Sequence, residues 1–271
     1  MLREEIILDE EPLIFDINIV QGKPNSYRKT NRALICPFCQ TNELTDIYEK
    51  EGDMIWLHNK FPTLRDTVQT VLIESGNHVG DITTYTPKYN RDLMRFALKC
   101  FKQMNKQKLF KSVLWYKNYG PHSGGSLSHP HMQIVGLKKQ DGYRYICEKN
   151  FIGITVFNGK DIEVNISTYP VQGYIEFNFN LLKISGLERW SDWIQSGTKY
   201  LLNVLSGGRC DSYNLFFYPR EDQKICAKLI ARFAAPPYFI GYKLSQVDNK
   251  EKLVEEATSF KHFFNHGSRL D

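Results

Sequence analysis

A pattern of short strand-like runs around one amphipathic segment constrains the fold of this sequence more than any other feature. Four runs rich in β-branched and aromatic residues, bounded by turn residues, predict strands at 54–58, 69–74, 111–118 and 129–137. Between the second and third runs, Thr86-Pro87 begins a segment whose apolar residues recur at helical spacing: Leu93, Ala97, Phe101 and Met104. Strands, one helix and more strands predict an α+β unit with an antiparallel sheet, not a βαβ repeat.

The second part of the chain repeats this order of elements. Strands are predicted at 151–156, 163–168, 173–180, 213–218, 227–233 and 238–244, and a helix is predicted around Trp190, Trp193, Leu201 and Leu205. Asp248 and Glu251 have the spacing of a capping box for a last helix. Residues 1–53 are turn-rich and are predicted to form an irregular lead-in. We therefore predict two similar α+β halves, residues 1–145 and 146–271, each an antiparallel sheet with packed helices.

Composition and charge exclude several classes of protein. The 271 residues are 42% hydrophobic, which is enough for a packed core without disulfides. The net charge of +5 suits phosphorylated small molecules, but the sequence lacks the concentrated basic run of a dedicated nucleic-acid binder. The acidic first residues do not resemble a signal peptide, and no apolar stretch is long enough to cross a membrane. We therefore predict a cytoplasmic protein with neither nucleic-acid nor membrane partners.

Only two of the six cysteines lie close together in the sequence. Cys36-Pro-Phe-Cys39 has the Cys-x-x-Cys spacing of a metal-binding knuckle, and in a reducing cytoplasm such a pair favours a metal over a disulfide. The spacing alone is equally compatible with a pair that binds nothing. The other four cysteines are scattered among apolar residues, and we interpret them as buried thiols.

The stretch 118–133 carries the candidate chemistry. On a strand at 129–137, the two-residue period places His129, His131 and Gln133 on one face, and the proline between the histidines places this end at a sheet edge or bulge. The preceding loop is rich in glycine and serine, whose backbone N–H groups suit phosphate oxygens. A neutral imidazole is a competent nucleophile toward phosphorus, but two imidazoles two residues apart can instead share a metal. The spacing leaves both roles open.

A resemblance to a known family separates these roles. The block His129-Pro-His131-Met-Gln133 is preceded at matching spacing by four polar or glycine residues: Asn118, Gly120, Gly124 and Ser126. This set resembles the active-site signature of the galactose-1-phosphate uridylyltransferase family, within the histidine triad (HIT) superfamily. The resemblance implies two HIT-like halves, of which the second is degenerate here, with His131 as the nucleophile that becomes nucleotidylated. It also implies four ligands for a structural Zn²⁺: Cys36, Cys39, His78 and His129.

The same resemblance implies roles for the residues around the nucleophile. Gln133 would hydrogen-bond the transferred phosphoryl group, and Asn59 in Asn59-Lys-Phe-Pro62 would lie beside the nucleotide. The phosphate pocket would be lined by Asn118, Gly120, Gly124 and Ser126. The implied reaction transfers a nucleoside monophosphate from a nucleotide-sugar or a dinucleotide to phosphate or a sugar phosphate. A homodimer is a further implication, because related enzymes complete the acceptor site from a neighbouring subunit.

Two departures from the family pattern narrow these implications. No histidine occurs from residue 151 to 261, so the second half lacks the family's second metal site and a second nucleophile. Lys243, directly after Phe239-Ile-Gly-Tyr242, replaces a glutamate that helps to recognise the hexose in the galactose enzymes. A cation there argues against galactose and favours a more anionic acceptor, so Lys243 is predicted to bind substrate. Two alternatives stay open: hydrolysis at the same site, and a zinc-containing nucleotide-binding protein without turnover.

Overall fold

The computed structural model describes residues 12–21, 36–233 and 237–266. The helices in these ranges are α1 (Ile17–Gln21), α2 (Pro87–Asn105), α3 (Leu187–Asn203), α4 (Pro237–Tyr242) and α5 (Lys250–His266). The strands are β1 (Ile47–Glu51), β2 (Met54–His58), β3 (Thr67–Ile73), β4 (Ser112–Tyr119), β5 (His131–Leu137), β6 (Gly153–Asn158), β7 (Ile162–Ser167), β8 (Gly173–Tyr174), β9 (Glu176–Leu181), β10 (Tyr213–Pro219), β11 (Ile225–Ala231) and β12 (Gln246–Val247).

Ten strands form one antiparallel sheet in the order β1-β2-β3-β5-β4-β10-β11-β9-β7-β6. Each half has the same strand order when its strands are counted from the outer edge of the sheet toward the junction: β1-β2-β3-β5-β4 in the first half corresponds to β6-β7-β9-β11-β10 in the second. Each half also inserts one long helix, α2 after β3 and α3 after β9. The halves join where β4 pairs with β10, from Trp115 opposite Phe217 to Tyr119 opposite Tyr213. The predicted α+β fold of two antiparallel halves with packed helices is confirmed.

The long helices pack on one face of the sheet and form the main core with it. Helix α2 begins where the Thr86 hydroxyl accepts a hydrogen bond from the backbone N–H of Tyr89, with Pro87 in the first turn. The residues that predicted this helix are all buried: Leu93, Ala97, Phe101 and Met104. At the junction of the halves, Trp115 stacks on Phe217 with ring centroids 3.5 Å apart. Apolar burial therefore crosses the junction without interruption.

The opposite face of the sheet is covered differently in the two halves. In the second half, the 3₁₀ turn Glu148–Phe151 lies on this face, and the buried side chains of Asn165 and Asn180 both donate to the carbonyl of Phe151 at 3.0 Å. The buried Lys228 ammonium donates to the carbonyl of Asn150 at 2.8 Å. These bonds fill the face of the second half, whereas the corresponding face of the first half carries a cavity.

The end of the chain differs from the sequence prediction in two respects. The predicted strand at 238–244 is wrong, because this segment contains α4. Proline in the first turn favours a helix, and Tyr238 and Tyr242 are exposed rather than packed as alternating strand residues would be. Helix α5 is capped by Asn249, whose Oδ1 accepts from the backbone N–H of Lys252 at 2.8 Å, and not by the predicted Asp248.

Two further predictions missed local detail. Residues 1–53 were predicted to be irregular, but they contain β1, which pairs with β2 at the edge of the sheet. The charged residues of β1 do not show the apolar alternation by which a strand is predicted. Residues 1–11 and 22–35 lie outside the described residues. The strand predicted over 173–180 is two strands, because Tyr174 has a φ of 62° that interrupts an extended chain. Within the described ranges, no helix combines the length and the apolar character that crossing a membrane requires.

Candidate functional site

A cavity of about 500 Å³ opens in the first half, on the face of the sheet opposite the helices. Five of the predicted site residues line it: Asn59, Gly124, Ser126, His131 and Gln133. Its apolar wall comes from side chains of β2, β3 and the segment before β1: Phe38, Leu44, Leu57 and Val71. The cavity therefore combines an apolar surface with a few polar groups at one end, as sites for small molecules do.

Four side chains that can hold a metal ion converge beside this cavity: Cys36, Cys39, His78 and His129. Their ligand atoms all lie within 4.8 Å of one another. The Nδ1 atom of His129 is 3.7 Å from the sulfur of Cys36 and 3.5 Å from that of Cys39. The Nδ1 atom of His78 is 3.3 Å from the sulfur of Cys39. The fold thus brings together four residues that the sequence separates by up to 93 positions.

The ring of His129 is held on both sides. While Nδ1 faces the thiols, Nε2 lies 2.9 Å from the carbonyl oxygen of Ser75 and donates to it, since a carbonyl only accepts. Burial lowers the pKa of His129. The neutral imidazole favoured by this shift is the form that binds metals, and the bond to Ser75 orients it.

Phe38 contacts both the ligand cluster and the cavity. Its ring packs edge-on against His129 at 5.8 Å and against His131 at 5.5 Å, and it also lines the cavity. One aromatic ring therefore contacts both imidazoles. An ion held by the cluster would support the start of β5 through His129.

The tautomer of His131 follows from its surroundings. Only 8% of this residue is exposed, and its Nδ1 lies 2.8 Å from the carbonyl oxygen of His129. Because the carbonyl can only accept, Nδ1 carries a proton, and in the neutral ring Nε2 then carries the lone pair. This is the arrangement that an imidazole nucleophile needs.

The side-chain amide of Gln133 is oriented by Tyr116, a residue that the sequence analysis did not single out. The two lie opposite each other in the pairing of β4 with β5, and the Tyr116 hydroxyl donates to Oε1 of Gln133 at 3.1 Å. Burial raises the pKa of Tyr116 to about 12, so the hydroxyl keeps its proton at neutral pH. With Oε1 engaged as an acceptor, the Gln133 amide has its NH₂ group to offer to a phosphoryl oxygen. Tyr116 lies two residues before Asn118 on β4, so the two-residue period of a strand could have indicated that it shares a face with the site.

Replacing Tyr116 with phenylalanine is expected to lower the turnover of the cavity's reaction about tenfold, because the Gln133 amide loses the bond that sets its direction. The stability should fall by only about 1 kcal/mol. Steady-state kinetics and thermal unfolding of the same preparation measure both effects. Unchanged kinetics would show that Gln133 needs no such partner.

Asn118 does not line the cavity but packs against the loop that does. The pairing of β4 with β5 ends at Tyr116 opposite Gln133, so Asn118 lies two residues beyond the last pair on β4 and His131 lies two residues beyond it on β5. A Cβ atom added to Gly125 would lie 3.3 Å from the Cβ atom of Asn118. Asn118 therefore supports the loop that contains Gly124 and Ser126, at the same end of the paired strands as His131.

Gly120, predicted to line the phosphate pocket, lies at the junction of the two halves. Its φ is 83°, and an added Cβ atom would lie 2.3 Å from Oγ of Ser212 and 2.4 Å from the carbonyl oxygen of Asp211. A glycine is therefore required at this position for backbone conformation and for close approach.

A Gly120→Ala substitution should destabilise the protein by about 2 to 4 kcal/mol, since it combines left-handed strain with a clash against backbone. Gly124→Ala is the matched control: its φ is 84°, but nothing lies within 4 Å of the added Cβ atom. The control should lose only about 1 kcal/mol. Equal losses in chemical denaturation would argue against the close approach at Gly120.

Lys243, the last of the predicted substrate-binding residues, lies outside the lining of this cavity. It follows α4 with a φ of 58°, and its ammonium nitrogen is 5.5 Å from the centroid of the Phe239 ring. The described chain therefore does not bring Lys243 to His131. Its role in binding substrate stays a prediction.

A buried ion-pair network, which sequence reasoning missed, anchors the loop that carries His78. The Lys117 ammonium is 2.6 Å from a carboxylate oxygen of Glu74 and 3.2 Å from one of Asp81, and all three side chains are at most 1% exposed. Burial raises the pKa of the Glu74 carboxyl group. Burial alone would lower the pKa of Lys117, but the two neighbouring carboxylates outweigh it, so the pKa of Lys117 is raised. Glu74 and Asp81 bracket the loop, and Lys117 precedes Asn118. The network therefore fixes the metal-ligand loop against β4.

The fold and the site together define a protein of two similar antiparallel halves, with the candidate centre in the first half. Family models match two segments, the N-terminal domain of the domain of unknown function DUF4931 over residues 15–140 and its C-terminal domain over residues 144–264. The crystal structure of a DUF4931 family protein from Bacillus cereus is 43% identical; the match covers 79% of this chain and 99% of that one, with a TM-score of 0.71. The chain belongs to the DUF4931 family.

More distant structures share the fold. An ADP-glucose phosphorylase from Arabidopsis thaliana with bound ADP-glucose is 14% identical, with 86% of this chain and 91% of that chain covered and a TM-score of 0.66. A uridylyltransferase is 16% identical, with 90% and 95% covered and a TM-score of 0.66. The resemblance predicted from the signature around His131 is thus confirmed at the level of the fold.

This chain matches a further relative over only part of that relative's length. It is named a di-/tripeptide transporter, from Lactobacillus helveticus, and is 38% identical over 111 residues. The match spans 39% of this chain and 21% of that protein. At these coverages the similarity concerns one segment of the relative.

Proposed function

We propose that this protein is a nucleotidyltransferase or phosphorylase that forms a covalent nucleotidyl-histidine intermediate at His131. The observation that carries the proposal is the state of His131: its Nδ1 proton is committed to the carbonyl of His129 at 2.8 Å, at the wall of a cavity of about 500 Å³. Gln133 and Ser126 line the same cavity as potential donors to phosphoryl oxygens. The shared fold with phosphorylase and uridylyltransferase structures supports this reaction class.

The proposed reaction takes place in two displacements. In the first, the Nε2 lone pair of His131 attacks the α-phosphorus, and the bond to the bridging oxygen breaks, so that its electron pair leaves with the sugar phosphate. The Nδ1 proton stays on the ring and stabilises the positive charge through its bond to the carbonyl of His129. In the second, an acceptor phosphate oxygen bonds to phosphorus, and the P–N bond returns its electron pair to Nε2. Donors from Gln133, Asn118 and the loop 124–126 would hold the charged phosphoryl group in both steps.

We propose that the metal of the ligand cluster is Zn²⁺. A tetrahedral zinc ion with bonds of about 2.3 Å to sulfur and about 2.0 Å to nitrogen separates these ligand atoms by about 3.5 Å. Three of the four separations between sulfur and nitrogen, 3.3, 3.5 and 3.7 Å, fit this value, and all the ligand atoms lie within 4.8 Å of one another. Two thiols and two imidazoles form a closed structural set, so the zinc would hold the end of β5 and the loop around His78 without reacting.

We propose a nucleotide-sugar or a dinucleotide as the donor substrate and phosphate or a sugar phosphate as the acceptor. The Arabidopsis structure contains ADP-glucose, which supports a nucleotide-sugar. The acceptor would be more anionic than galactose, with Lys243 as the cation that meets it. Residues 1–145 would be the catalytic half and 146–271 the degenerate half. The predicted homodimer and cytoplasmic location stay predictions.

Mass spectrometry of the intact protein after exposure to a panel of ADP-, UDP-, GDP- and CDP-sugars tests the proposal. The expected result is an acid-labile gain of one nucleoside monophosphate, which maps to the peptide containing His131 and disappears when phosphate is added. His262→Ala, which changes an exposed histidine on α5, is the control and should form the same adduct. An adduct that water removes as quickly as phosphate would favour the hydrolase instead, and binding without any adduct would favour the non-catalytic alternative.

A further inference from the structure

The β10 strand of the second half begins against the loops of the first-half site. Asn214 is 4% exposed and directly opposes Asn118 in the pairing of β10 with β4. Its Nδ2 atom donates to Oδ1 of Asn118 at 2.7 Å and to the backbone carbonyl of Ser123 at 2.9 Å. One side chain of the second half therefore holds both a site residue and the loop that contains Gly124 and Ser126.

These two contacts determine which way the Asn118 amide faces. The Ser123 carbonyl can only accept, so the NH₂ group of Asn214 must point toward it. The second N–H of the same NH₂ group donates to the Asn118 side chain. The atom of Asn118 that faces Asn214 is therefore its oxygen, Oδ1. The NH₂ group of Asn118 is left directed away from β10, on the side of β4 where β5, which begins at His131, lies in the sheet.

The contact is part of a continuous attachment between the halves. The Ser212 hydroxyl accepts from the backbone N–H of His122 at 3.1 Å, at the start of the same loop. The Tyr213 hydroxyl donates to both oxygens of the Asp81 carboxylate, at 2.8 and 2.7 Å, at the end of the metal-ligand loop. Consecutive residues of the second half thus reach both loops that build the site.

We infer that Asn214 is a positioning residue for the proposed nucleotidyl transfer, acting through Asn118. By fixing the Asn118 carbonyl, it presents the Asn118 NH₂ group as a donor to the phosphoryl group in transfer, and it holds the backbone of the Ser123–Ser126 loop in place. The inference rests on the proposed function. It gives the second half, which has no nucleophile of its own, a direct part in the chemistry of the first.

The test compares Asn214→Ala and Asn214→Asp with a matched control. Asn178→Ala is suitable, because Asn178 is also a buried asparagine that donates to one backbone carbonyl, that of Asn150, and to one asparagine oxygen, that of Asn165. Asn214→Ala should lower the rate of adduct formation about 10- to 100-fold with little change in KM, since the lost donor acts mainly in the transition state. Asn214→Asp, nearly isosteric, should be slower still, because its carboxylate opposes the Ser123 carbonyl and turns the Asn118 amide around. Asn178→Ala should lose comparable thermal stability but keep its rate within about twofold.

A double-mutant cycle separates positioning from general damage. If Asn214 acts through Asn118, the double variant Asn118→Ala/Asn214→Ala should react no more slowly than Asn118→Ala alone. Fully multiplicative rate losses, or equal losses in Asn214→Ala and Asn178→Ala, would overturn the inference while leaving the adduct on His131 intact. The absence of an adduct in the unmodified protein would overturn the proposed function and this inference together.

Discussion

Replacing His131 with alanine is expected to abolish the nucleotidylated protein and to lower kcat by a factor on the order of 10⁴ or more, because the proposed intermediate forms on Nε2 of this ring. The residue lines a cavity, and the hydrogen bond to the carbonyl of His129 that it loses is worth about 1 kcal/mol, so stability should change far less than the rate. Mass spectrometry with the preferred nucleotide-sugar and single-turnover kinetics measure the first effect, and thermal unfolding the second.

The control for this variant is its metal content. The ligand cluster comprises Cys36, Cys39, His78 and His129, and His131 is not part of it. The His131→Ala protein should therefore retain its full metal content, whereas His129→Ala should lose metal. An adduct that persists in His131→Ala, or a loss of metal from it, would contradict the separation of the two roles.

Removing one thiol of the cluster, by Cys39→Ser, is expected to reduce the content of the proposed zinc from one ion per chain to a small fraction. Metal binding free energy is folding free energy where the ligands come from separate segments, so the loss of stability should reach about 4 kcal/mol or more. For a chain of this length that corresponds to a fall of roughly 10 °C in Tm. Elemental analysis and calorimetry measure the two effects, and a chelator should reproduce them in the unmodified protein.

The exposed thiol of Cys147 provides the matched control. Cys147 lies outside the cluster and caps a 3₁₀ turn, a role that serine fulfils as well, so Cys147→Ser should keep both metal and Tm. The destabilised regions in Cys39→Ser should be the turns around Cys36 and the loop around His78, where limited proteolysis should cut first. Full metal content in Cys39→Ser would refute the four-ligand site.

The main features of the first half were predictable from local sequence. The alternation predicted that His131 and Gln133 share a face, because the strand period is a property of the backbone alone. The strand begins at His131 and not at the predicted residue 129, so His129 precedes β5 and joins the site through the ligand cluster. The helix over 87–105 was equally predictable, since its N-cap and apolar spacing are local signals. The prediction failed at 238–244, where alternating aromatic residues occur in a short exposed helix and pack against no sheet.

Other parts of the site depend on contacts that no local pattern reports. Tyr116 and Asn214 look like ordinary strand residues, and Lys117 looks like an exposed one, yet each is fixed by partners far away in the sequence. Their roles follow from register, since the pairing of β4 with both β5 and β10 decides which amides and hydroxyls meet.

The sequence by itself determined the residue types with the chemistry for a metal site and for an imidazole nucleophile, and the local elements that carry them. The tertiary structure decided that four candidate metal ligands, spread over the chain from Cys36 to His129, come within 4.8 Å of one another, and that Nδ1 of His131 donates a hydrogen bond to a carbonyl. It also decided that the second half, lacking histidine over 151–261, orients an amide of the first. The physical reason is that spacing along a strand is set by covalent geometry, whereas the direction of a hydrogen bond is set by whichever group the fold places opposite it.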